Sequence, residues 1–143
     1  MGSQISTYYN QIIYNTGRGN EAGRNSLSSA MRYLDVSDSP MRAVLPVMVD
    51  FLPESKGLLI KIADYIDQWS GNPYHSSQHH AKVCFMASVI GRIHRLSAED
   101  MRALLLTASV HDMDFIPGST PGEMEKISID HALSKGFISQ SDY

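Results

Sequence analysis

The 143-residue chain has a single cysteine, Cys84, so it cannot form an internal disulfide, and the lone thiol points to a reducing, cytoplasmic compartment. Long apolar runs are missing as well. Ala43-Val44-Leu45 and Leu58-Leu59-Ile60 fall far short of the roughly 18 residues that span a bilayer, so no membrane partner is expected. Positive charge is not in excess: the formal net charge is −3, which excludes the basic surface that nucleic-acid binding requires. A strand-like alternation of apolar and polar residues is absent over any useful length, and so is an internal repeat. With 43% hydrophobic and 19% charged residues, the chain is long enough to bury one core and too apolar to stay disordered.

What is present is helical periodicity. Ile5, Tyr8, Tyr9, Ile12 and Ile13 recur at spacings of three and four, and Ala30, Met31, Tyr33 and Leu34 suggest a second, short helical face. Loop signals at Asn15 to Asn20 and Asp35 to Pro40 punctuate residues 1–40, which read as a polar N-terminal helical and loop segment preceding a helical domain over 41–143. Ser39 is placed to cap a helix with Pro40 in its first turn, and Pro46 is expected to kink or shorten it. Leu58, Leu59, Ile62, Ala63, Ile66 and Trp69 mark the next helix.

A further helix is expected from Ser76 to His94, burying Val83, Met86, Ala87, Ile90 and Ile93. Ser97 can cap the helix after it, which carries Leu104, Leu105, Ala108 and Val110 toward His111. Glu123 to Lys135 reads as a last helix ended by Gly136. The fold class is therefore all-α.

The chemistry-bearing residues gather at two helix ends. His75 and His79 are four apart and share one helical face, whereas His80 points about 100° further round and reads as a solvated or hydrogen-bonded side chain. His111-Asp112-Met113-Asp114 sits where a helix ends; two aspartates beside the negative end of a helix dipole are unfavourable unless a cation offsets them. Imidazole and carboxylate donors together suit a divalent metal ion.

The segments Tyr74-His75-Ser76-Ser77-Gln78-His79-His80-Ala81-Lys82-Val83 and Ala108-Ser109-Val110-His111-Asp112-Met113-Asp114-Phe115-Ile116-Pro117-Gly118 resemble the HD-domain metal-dependent phosphohydrolases, and among them the 3′,5′-cyclic-nucleotide phosphodiesterases. The resemblance covers roughly residues 54–120. It implies an HD-domain-like helical bundle, with the C-terminal part of the family domain missing, and a phosphoester, in the nearest case a cyclic nucleotide, hydrolysed by metal-activated water. His79, His111 and Asp112 would be metal ligands, His75 the general acid, and Asp114 an outer residue orienting a ligand or water. One or two divalent ions are implied: zinc, manganese, iron or magnesium.

Ser76 stands where the family has Asn, Lys82 where it has Asp, and Phe115-Ile116 where it has His. The family's downstream metal aspartate has no counterpart in its usual place. Asp130 and His131 are the substitutes within reach in the sequence, and a partner copy in a homo-oligomer is another source of a carboxylate. The alternative expectation is a non-catalytic HD-like module that binds metal, a nucleotide or a partner, or an inactive fragment of a larger phosphodiesterase.

Overall fold

A computed structural model describes residues 3–18, 21–68, 76–111 and 120–138. Among them there are seven α-helices and no strand: α1 (Gln4–Asn15), α2 (Glu21–Asp35), α3 (Pro40–Phe51), α4 (Lys56–Gln68), α5 (Ser77–Ile93), α6 (Ala98–Val110) and α7 (Pro121–Ser134), with a 3₁₀ turn over Pro53–Ser55. The protein is an all-α bundle, as its periodicity predicts. No helix among the described residues is long and apolar enough to cross a membrane.

Local chemistry explains most of the helix ends. Ser3, Ser76 and Ser97 each accept the backbone N–H three residues on, from Ser6, His79 and Asp100. Thr120 and Glu123 form a reciprocal capping box at the start of α7. Gly136, at φ 73°, supplies the left-handed residue that ends α7, and Phe137 N–H closes back on the Ala132 carbonyl.

α3 departs from this rule. Ser39 occupies the cap position without a side-chain cap bond, and the orphan N–H groups of Met41 and Arg42 instead donate to the two carboxylate oxygens of Asp67, at 2.9 and 3.0 Å. The cap is thus supplied by α4, and it fastens the end of one helix to the start of another. Burial outweighs these two donors and leaves the Asp67 carboxyl above the ordinary carboxylate range. Pro46 lies inside α3, which continues to Phe51 rather than stopping; Pro46 is exposed, on the outer side of the helix.

α5 is the centre of the bundle, packing against α1, α2, α3, α4 and α6. Its buried face shares only Ala87 with the expected one. Ser77, His80, Ala81, Cys84, Ser88 and Gly91 turn inward, whereas Val83 and Met86 are half-buried and Ile90 and Ile93 are exposed. Small side chains bring neighbouring helices close to α5. A side-chain carbon on Gly91 would collide with Met101 of α6. The buried hydroxyls close locally, with Ser88 donating to the Cys84 carbonyl at 2.8 Å and Ser109 to the Leu105 carbonyl at 2.7 Å.

α2 is also longer than its apolar face suggests, running from Glu21, whose carboxylate suits the positive end of the helix. α1 and α2 form an antiparallel pair, joined by Ser26 donating to Gln11 at 2.9 Å and by the edge-on rings of Tyr8 and Tyr33. Ile5, Ile12, Ala30 and Leu34 enter the same core as Val44, Met48, Ile62, Phe85 and Leu105.

Candidate metal centre

The first turn of α5 and the residue that caps the end of α6 meet at one end of the antiparallel α5–α6 pair. There three imidazoles converge: the ring centres of His79 and His111 are 5.6 Å apart, those of His80 and His111 5.4 Å, and those of His79 and His80 6.2 Å. Three imidazoles on one tetrahedral ion stand with their centres roughly 5 Å apart, so the observed spacings lie within about 1 Å of a ligand set. Among the described residues, no group of three or more His, Cys, Asp or Glu side chains is arranged to hold a metal ion. The cluster is close to, and not yet at, coordination geometry.

Two of the rings have a fixed orientation. His80 Nδ1 lies 3.1 Å from the Ser76 carbonyl and His111 Nδ1 2.8 Å from the Ala108 carbonyl. A carbonyl only accepts, so each Nδ1 carries a proton, and the tautomer this selects is the one whose lone pair lies on Nε2. Histidines that ligate metals are commonly oriented by this kind of outer hydrogen bond. The carbonyl end of α6, where His111 sits, is the negative pole of that helix and favours a cation.

His80 is the residue that sequence reasoning set aside. It is 0% exposed, whereas His79 is half-buried, and its ring lies slightly nearer His111 than that of His79 does. The signal for it was the small-residue face Ser77, Ala81, Cys84 and Ser88, on which His80 falls. Lys82 turns away from the cluster and forms an ion pair with Asp35 of α2 at 2.8 Å.

His75, Asp112 and Asp114 lie outside the described residues. Asp130 and His131 are on α7, which packs on α6; Asp130 is exposed and His131 half-buried. Cys84, next to this region on the buried face of α5, is hydrogen-bonded to Ser109 at 3.6 Å, and burial pushes its thiol up to about 12. A thiol held protonated in this way is neither a nucleophile nor a ready ligand. Compared with known protein families, curated proteins and solved structures, the chain matches none.

Proposed function

We propose that this protein is a metal-dependent phosphohydrolase of HD type, acting on a phosphoester such as a 3′,5′-cyclic nucleotide. The observation that carries the reading is the convergence of His79, His80 and His111, two of them with Nδ1 fixed by a backbone carbonyl. His79, His80 and His111 would hold the ion, with Asp112 next in the chain as the carboxylate donor. Bound there, zinc, manganese, iron or magnesium would neutralise phosphate oxygens and lower the pKa of a water to about 7.

The chain's own residues have separate tasks. The Ser76 and Ala108 carbonyls hold two rings in one tautomer, so the form that coordinates through Nε2 is already favoured before an ion arrives. His75 would hand a proton to the leaving oxygen, work suited to an imidazole near neutrality. Ser76 serves twice, its hydroxyl capping α5 at His79 N–H and its carbonyl orienting His80.

The test is metal content and turnover. Purified protein exposed to manganese or zinc should retain stoichiometric ion by elemental analysis and hydrolyse bis(p-nitrophenyl) phosphate. His111→Ala and the double variant His79→Ala/His80→Ala should lose both properties, and His75→Ala should lose turnover while keeping metal. Failure of the folded wild type to bind either ion at micromolar concentration would overturn the proposal. Metal binding without turnover would leave the protein as a non-catalytic metal-binding module.

A further inference from the structure

We infer that the opposite end of the α5–α6 pair is a second binding site, for a small amphipathic organic anion: one carboxylate, sulfonate or phosphate group on an aromatic or short acyl body. A cavity of about 720 Å³ opens there, where the C-terminal ends of α1, α3 and α5 meet the start of α6. That volume falls within the range of small-molecule pockets, roughly 300–1,000 Å³. Gly91 of α5 lies 11 residues beyond His80, about 17 Å along the helix axis, and no histidine of the cluster lines this cavity.

Two features of the lining specify the ligand. Its apolar wall is Ile13, Phe51, Ile93, Leu96 and Met101. Ile93 and Leu96 are 44% and 38% exposed, and they are two of only five large apolar side chains left exposed among the described residues. Arg92 and Arg95 supply the charge, and neither forms an ion pair among the described residues. Asp50 also lines the cavity, so one acidic group opposes two guanidiniums and the balance is cationic.

The backbone keeps Arg95 in this position at a cost. Arg95 has φ 53° and closes α5 in a Schellman turn, with Leu96 N–H donating to the Gly91 carbonyl and Arg95 N–H to the Arg92 carbonyl, both at 3.1 Å. Glycine takes that conformation without strain and arginine does not. Backbone strain of this kind clusters at binding and active sites, which makes Arg95 a candidate for a task beyond stability. The buried Tyr9 hydroxyl, close enough to Arg92 and Asp50 to feel both charges, has no hydrogen-bond partner among the described residues, and its ring stands edge-on to Phe51 in the cavity wall. A buried polar group left unmatched is uncommon and calls for a partner or water.

The probe is 8-anilinonaphthalene-1-sulfonate, followed by fluorescence and calorimetry on the folded chain. One saturable site is expected, with a dissociation constant on the order of 10 µM that weakens as salt is raised. Arg92→Gln with Arg95→Gln should weaken it at least about tenfold, since each removes a charge-assisted contact. Neutral N-phenyl-1-naphthylamine should bind more weakly by a similar factor. Arg95→Gly relieves the strained turn, so it separates binding from folding: a more stable protein that binds the probe less well is the expected pair of results. Ile93→Trp, which fills the cavity without removing charge, should also block the site. No saturable binding up to about 1 mM, or unchanged affinity in the double arginine variant, would overturn the inference.

Discussion

Asp67→Ala removes a cap that sequence alone assigns elsewhere. The side chain accepts two backbone N–H groups of the first turn of α3, at 2.9 and 3.0 Å, from a half-buried position on α4. Loss of one cap bond costs about 1 kcal/mol, and leaving a second N–H without its acceptor adds a further ~1 kcal/mol. The expected loss is therefore about 2 kcal/mol, or a fall in melting temperature of roughly 6 °C for a chain of this size. Asp67→Asn, which keeps one oxygen acceptor and no charge, should fall between the two proteins.

Urea unfolding followed by far-ultraviolet circular dichroism measures the difference, and Ser39→Ala is the control, expected within ~0.5 kcal/mol of wild type because Ser39 makes no cap bond. The pH dependence follows from the raised carboxyl. The folded state holds the Asp67 proton more tightly than the unfolded state, whose value is near 3.8, so stability should fall as pH rises through the window above 3.8. That part of the profile should vanish in Asp67→Ala. If Ser39→Ala were as damaging as Asp67→Ala, the long-range cap would be refuted.

Two further outcomes are expected. Arg95→Gly should stabilise the protein by about 1 kcal/mol in the same urea assay, and a loss of stability would show that φ 53° is not a strained position here. Cys84 should resist dithionitrobenzoate at pH 8 in the folded protein and react only on unfolding, because its thiol titrates near 12. Its linkage also lowers stability as pH rises above 9, where the unfolded thiol loses its proton and the folded one does not, and fast labelling of the native state would contradict its burial.

Helix existence was legible wherever apolar side chains recur on one face, as in α1, α4 and α6. It was less legible where burial is achieved by small or polar residues. On α5 the larger apolar residues Val83, Met86 and Ile90 suggested one face, yet the helix turns Ser77, Ala81, Cys84 and Gly91 inward together with Phe85, because a central helix touched by five others is approached closely along its small residues. The same rotation puts the buried His80 on the inner side. Spacing from His75 and His79 does not reveal this, whereas the side that packs on α6 is the one that meets His111. The meeting of His79 with His111 could be anticipated, since each lies at the end of a helix in one antiparallel pair. Asp67 could not be read as the α3 cap, because its partners lie 25 and 26 residues away and no local pattern links them.

The central place of α5 also bears on how the protein is made. The chain emerges from its N-terminus, so α1 to α4 are complete before α5 appears, yet the inner faces of α1, α2 and α3 close on α5. Until that helix is synthesised, Leu34, Val44 and Met48 belong to an open half-core with nothing to complete it. The first four helices are thus the part of the nascent chain most in need of protection, and the helix that relieves them is the one that brings in the first histidines of the cluster.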